Sequence, residues 1–180
     1  MIAHPDDEVM FFGPSVVALA RDHDVHVLCL SPGLGTGRER ELRASCARLG
    51  LAAERVAVVH SDRLRDGLDQ AWAPADVAAQ VAQRLEPWRI GTVLTFDARG
   101  VSGHANHCAV HAGVQHLARA HPHLRVFELE STGLARKYLG LLDWPASGLA
   151  QHAAFVNWSA FWAIQVSQTS EKKERTEERK

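Results

Sequence analysis

The sequence predicts an α/β fold, a mostly parallel sheet with helices on both faces, and three observations carry the expectation. Short apolar runs alternate with longer stretches of helical periodicity, the pattern of strands joined by crossover helices. Each helical stretch ends in a Gly, Pro or polar break. No internal repeat and no Ser/Gly-rich linker divides the 180 residues. In chain order, residues 1–3 read as the last residues of a strand whose earlier part is absent, because typical strands run about five or six residues. If that strand is central, ladder bonds and core side chains are lost with it. A first helix follows over residues 11–20, then an apolar run at 25–30. Residues 37–49 and 75–85 carry apolar side chains at three- and four-residue spacing and read as helices, separated by a strand at 55–59. A strand at 92–96 leads into a loop with Gly100 and Gly103, after which His104, Asn106 and His107 open another helix. The run at 124–129 supplies one more strand.

A hydrophobic share of 46% is ample for one two-sided core. The formal charge of -1, with Lys and Arg spread rather than striped, gives no field of the kind that gathers nucleic acid. Cys29, Cys46 and Cys108 lack the paired spacing of a zinc knuckle or redox motif, so they read as small core hydrophobes in a reducing compartment. No apolar run reaches the roughly 20 residues that cross a bilayer, and the start carries no export signal, so the chain as given reads as soluble. Residues 171–180 are nearly all charged with mixed signs, and read as a disordered tail. Phe155, Trp158, Phe161 and Trp162 sit at helical spacing and read as packing residues rather than a membrane face.

Two clusters carry chemistry. His4-Pro5-Asp6-Asp7-Glu8 places one imidazole and three carboxylates within a turn, just after a strand end, where open parallel sheets hold their ligand sites. Neighbouring carboxylates oppose each other's ionisation unless a cation neutralises them. Imidazole and carboxylate together suit zinc, and a carboxylate left free would serve as base beside a metal-bound water. The same acids also suit a helix N-terminus, where they stabilise the dipole and cap free amides. In the second cluster, after Asp97, His104 and His107 lie three apart on one helix face, one as ligand and one toward substrate. His111, four beyond His107, is a rival ligand by spacing but sits deeper along the helix. Each cluster follows a separate strand, and together they hold the inventory of a hydrolytic zinc site with an open position. His60 and Arg63, after the strand at 55–59, border either the crevice or the surface; Trp72 and Trp88 read as packing.

Residues 3–8, Ala-His-Pro-Asp-Asp-Glu, and residues 95–107, Thr-Phe-Asp-Ala-Arg-Gly-Val-Ser-Gly-His-Ala-Asn-His, resemble the PIG-L de-N-acetylase family. Arg-x-x-Glu-Leu at 38–42 and Arg-Lys-Tyr-Leu-Gly-Leu-Leu-Asp at 136–143 extend the likeness, toward its eukaryotic members. The resemblance implies a Rossmann-like fold and zinc, or another divalent metal, held by His4, Asp7 and His107. It implies Asp6 as general base, His104 as the group that stabilises the oxyanion, and Arg38 on the substrate side, where its guanidinium fork suits an inositol or phosphate oxygen. The implied reaction is hydrolysis of the acetamide of a glycolipid, N-acetylglucosaminyl-phosphatidylinositol, the second step of GPI-anchor synthesis. The implied place is the cytoplasmic face of the endoplasmic reticulum, with membrane association in full-length members. A soluble amino-sugar conjugate is the alternative substrate, and a catalytically silent variant the alternative from another class. The expected division is an α/β domain over 1–150, a divergent segment over 151–169 and the charged tail over 170–180. The loop between Gly33 and Arg38 is shorter than the family's.

Overall fold

A computed structural model describes residues 1–67 and 70–131. The motif at 136–143, the aromatic residues 155–162, the end of the expected 1–150 domain and the two C-terminal segments lie outside the described residues.

The fold is α/β with parallel strands. Strands β1 (Val27–Cys29) and β2 (Val56–Val58) pair in parallel, as do β3 (Thr92–Phe96) and β4 (Arg125–Leu129). Residues 1–3 join the two pairs. Ile2 forms a parallel bridge with Cys29, Leu30 N–H donates to the Ile2 carbonyl (3.1 Å), and the Met1 amino group donates to the Leu94 carbonyl (2.6 Å). The start of the chain thus lies between β1 and β3, with β2 and β4 outside them. From this central segment the chain first builds toward β1 and β2 and later returns to β3 on the other side. That reversal of direction is where parallel sheets open a crevice at the carboxyl ends of their strands.

The helices are α1 (Asp7–Met10), α2 (Gly13–Leu19), α3 (Arg38–Arg48), α4 (Pro74–Leu85), α5 (Gly100–Gly103) and α6 (Ala105–Ala120). The expected helix over 11–20 is divided from a separate first turn, because Pro14 near the start of α2 fixes its own entry and Phe12 caps it. Gly37 at φ 89° caps α3, a conformation that a residue without Cβ adopts at no steric cost. Helix α3 buries Leu42, Ser45 and Cys46, at the three- and four-residue spacing of one face. Helices α4 and α6 pack closely because Gly113 has no side chain: a Cβ there would fall 2.2 Å from Val77 Cγ1. The core runs through Leu30, Leu42, Val77, Phe96 and Val110, each 1% exposed or less. No helix among the described residues is long and apolar enough to cross a membrane.

Candidate metal centre

The carboxyl edge of the sheet at the direction change gathers both sequence clusters. His4 follows the central segment directly, and Asp7 opens α1 one turn later. Asp7 Oδ2 accepts the backbone N–H groups of Ala3 (3.0 Å) and His4 (2.9 Å), so the carboxylate folds back over the strand end that precedes it. His107 arrives from the first turn of α6. His104 does not share that helical face as expected. It is the N-cap of α6, with φ -62° and ψ 125°, and its Nδ1 accepts the Asn106 N–H (3.3 Å). The extended backbone at the cap still brings its ring 4.9 Å from His107 and 4.9 Å from His4. Candidate ligand atoms of His4, His104 and His107 all lie within 4.8 Å of one another.

Hydrogen-bond partners assign the ring nitrogens. His107 Nδ1 donates to the Gly100 carbonyl (3.1 Å), which leaves a lone pair on Nε2, 3.2 Å from Asp7 Oδ1. His4 Nε2 lies 3.2 Å from Asp66 Oδ1 and 3.0 Å from Asn106 Nδ2. As placed, the Asn106 amide nitrogen would meet a second donor there; turned over, the amide presents its otherwise unpartnered Oδ1, so that Asp66 and Asn106 both accept from Nε2–H and His4 keeps the lone pair on Nδ1, 3.9 Å from Asp7 Oδ2. Two imidazole lone pairs and a buried carboxylate therefore face one another, acceptor against acceptor. Only a proton or a metal cation can satisfy such a group. Burial pulls His4 below the ordinary imidazole value; Asp7 and Asp66 oppose the shift, and His107 and His104 add to it. A neutral imidazole is the form that ligates. His107 is further fixed by stacking on Phe96, 4.1 Å between centroids at 5°, with Phe11 edge-on at 5.6 Å.

The three carboxylates of the first cluster have separate fates. Asp7 points to the histidines. Asp6 stays half exposed, at φ 113° and ψ -25°, where a residue with a Cβ is strained. Its Oδ2 accepts from Arg38 Nη2 (2.9 Å), and the same guanidinium group bonds the Pro5 carbonyl. Burial raises the Asp6 carboxyl above its usual range, and Arg38 limits the rise. Glu8 is 2% exposed, with Oε2 accepting the Asp6 N–H (2.9 Å) and Oε1 against Ser45 Oγ. Burial pushes its carboxyl up to about 7. Of the three, Glu8 braces the turn through the Asp6 N–H, Asp7 meets the imidazoles, and Asp6, the N-cap, makes no side-chain capping bond and turns to Arg38.

The remaining predicted residues separate clearly. His111 points away from the crevice, with Nδ1 3.4 Å from Glu128 Oε1 on β4. His60 pairs with Glu39 (3.0 Å) and Arg63 with Asp76 (2.9 Å), both in exposed positions. Trp72 is buried, its Nε1 donating to the Arg65 carbonyl (2.8 Å), beside Asp66, and its ring lies 6.0 Å from His4. Trp88 stacks on His26 at 4.7 Å. Asp66 and Asn106, the two partners of His4, were not among the predicted site residues. Asn106 stands between two flagged histidines, and Asp66 sits in the loop after β2, at a carboxyl edge; those positions were the available signals.

Residues 1–118 match the family described as PIG-L: GlcNAc-PI de-N-acetylase. A Schizosaccharomyces pombe protein named "Probable N-acetylglucosaminyl-phosphatidylinositol de-N-acetylase" is 44% identical over 149 residues, which cover 79% of this chain and 60% of that protein. The Bos taurus N-acetylglucosaminyl-phosphatidylinositol de-N-acetylase is 42% identical over 163 residues, 86% of this chain and 64% of the bovine protein. The chain thus spans less than two thirds of the length of these relatives.

Proposed function

Because this chain belongs to the PIG-L family of GlcNAc-PI de-N-acetylases, we propose that it hydrolyses the acetamide of N-acetylglucosaminyl-phosphatidylinositol to glucosaminyl-phosphatidylinositol and acetate. This is the second step of GPI-anchor synthesis, so the substrate brings the reaction to a membrane surface, in this reading the cytoplasmic face of the endoplasmic reticulum. The observation that carries the proposal is the convergence of His4 Nδ1 and His107 Nε2 on the Asp7 carboxylate, beside a strained and partly exposed Asp6.

The donor set fits a divalent cation of the zinc type, two neutral nitrogens and one anionic oxygen. His4, Asp7 and His107 would hold it. When bound, the ion would polarise the acetamide carbonyl and bring the pKa of a coordinated water toward ~7. Asp6 takes the proton from the attacking water, its carboxylate aimed by Arg38 and its backbone by Glu8. His104, whose Nδ1 is occupied as an acceptor, carries its proton on Nε2 and donates it toward the amide oxygen as charge develops there. Arg38, partly exposed beside Asp6, is the cation on the substrate side. Attack by water needs no covalent enzyme intermediate. The proton held by Asp6 passes to the departing amine.

The geometry also favours a second ligand set, His4, His104 and His107, because their ligand atoms cluster within 4.8 Å. Metal analysis with acetate release from N-acetylglucosaminyl-phosphatidylinositol separates the two. Asp7→Asn and His107→Ala should lose zinc. Asp6→Ala and His104→Ala should keep zinc and lose turnover. Loss of zinc in His104→Ala with retention in Asp7→Asn would transfer the ligand role to His104, and full turnover in Asp6→Ala would overturn its assignment as base. Comparing the glycolipid with water-soluble acetylated amino sugars tests the substrate.

A further inference from the structure

We propose that Ser131, at the end of β4, is a positioning residue for His107, acting through the backbone turn that holds the imidazole. The inference rests on the reading of His107 as a metal ligand. Ser131 is 5% exposed, and every polar group it offers is used. Its N–H donates to Asp97 Oδ2 (2.7 Å) and its hydroxyl to Asp97 Oδ1 (2.6 Å). The hydroxyl oxygen accepts the Val101 N–H (2.8 Å), and the Ser131 carbonyl accepts from Arg99 Nη2 (2.7 Å). Asp97 also takes the Arg99 N–H (3.1 Å), so one serine closes the loop after β3 onto the end of β4.

That loop is strained where the serine grips it. Val101 has φ 64° and ψ -49°, a backbone position that a β-branched side chain adopts only under constraint. Gly100, just before it, has φ 57° and lies against His107: a Cβ there would come 2.8 Å from His107 Cβ and 3.0 Å from Cys108 N. The Gly100 carbonyl is the group that receives the His107 Nδ1 proton (3.1 Å) and so turns Nε2 toward Asp7. If Val101 relaxes, the peptide on its N-terminal side rotates, and that peptide's oxygen is the Gly100 carbonyl. Phe96 would still stack on the ring, but its tautomer and rotation would lose their anchor. The Ser131 hydroxyl, by holding Val101 N, keeps that carbonyl in place.

The test measures zinc affinity of the full chain by competition with a chelator, alongside acetate release and thermal unfolding without metal. Ser131→Ala should weaken zinc about 10- to 100-fold and lower kcat, with KM within about twofold, the range seen when a metal ligand loses its outer partner. Ser131→Thr, which keeps the hydroxyl, should bind zinc within about threefold of wild type. In a Val101→Gly background, where positive φ needs no restraint, Ser131→Ala should cost under about threefold. Should the alanine variant fail to fold, Ser131→Cys, similar in shape but a feebler acceptor, should still weaken zinc several-fold. Wild-type zinc affinity in Ser131→Ala or Ser131→Cys overturns the proposal, as does an undiminished loss in the Val101→Gly background. A wild-type chain that binds no zinc overturns the metal reading itself and this inference with it; zinc binding that ignores Ser131 overturns only the inference.

Discussion

Replacing Glu8 by glutamine removes a titrating proton from the core while keeping both contacts that the carboxyl makes. Ser45 Oγ has one proton for two acceptors, Glu8 Oε1 and the Leu42 carbonyl (2.9 Å), so both contacts are met at once only if the acid brings a second proton. A neutral carboxyl supplies one, and its other oxygen accepts from Asp6 N–H (2.9 Å). The amide of glutamine reproduces both, its NH2 toward Ser45 and its oxygen toward Asp6. Burial has pushed the Glu8 carboxyl from 4.5 up to about 7, so the folded chain holds a proton that the unfolded chain releases above about 4.5. The stability this confers is complete below the unfolded value and is lost as pH rises through the folded one. Between pH 5 and pH 8 the loss is about 2 kcal/mol, since each tenfold difference in proton affinity between the folded and unfolded chain is worth about 1.36 kcal/mol. His4, whose imidazole is pulled down, contributes in the opposite sense, gaining stability as pH rises. Only the difference between the two proteins isolates Glu8. Urea unfolding with chelator present should find Glu8→Gln within about 1 kcal/mol of wild type at pH 5 and more stable at pH 8, the gap widening by about 2 kcal/mol. A gap that does not change with pH would refute a neutral Glu8.

Asp6 at φ 113° gives a second outcome: Asp6→Gly should be about 1 kcal/mol more stable than Asp6→Ala by denaturant unfolding, since both lack the carboxylate and only glycine relieves the backbone. At the seam between α4 and α6, Gly113→Ala should destabilise by about 1–3 kcal/mol, because its methyl would meet Val77 Cγ1 at 2.2 Å. Combining it with Val77→Ala should cost less than the two changes added, a coupling that thermal denaturation of the four proteins measures.

Much of this architecture is written locally. The apolar run at 92–96 matches β3 residue for residue, and Gly37 and Pro74 mark where α3 and α4 begin, because a cap needs only the residues beside it. The helix read over 11–20 is present as Gly13–Leu19, its start moved inward because Pro14 favours the first turn. Both chemical clusters were legible, since strand ends and helix starts are local events, and the structure brings them together. Their supports were not. Asp66 meets His4, Ser45 meets Glu8 and Ser131 meets Asp97 across long intervals of sequence, between loops that the sheet alone brings to one edge. A serine that satisfies a distant carboxylate looks, in the sequence, like any other serine.

The two strand pairs meet through residues 1–3, and the imidazole-carboxylate group sits on that join, His4 and Asp7 on one side and His107 on the other. An ion seated there would act as a rivet between the halves. Each tenfold rise in free cation above its dissociation constant would then add about 1.4 kcal/mol against unfolding. The reverse linkage follows from the same equilibrium. Any substitution that loosens the join more when the ion is present than when it is absent would weaken the hold on metal by the same free energy.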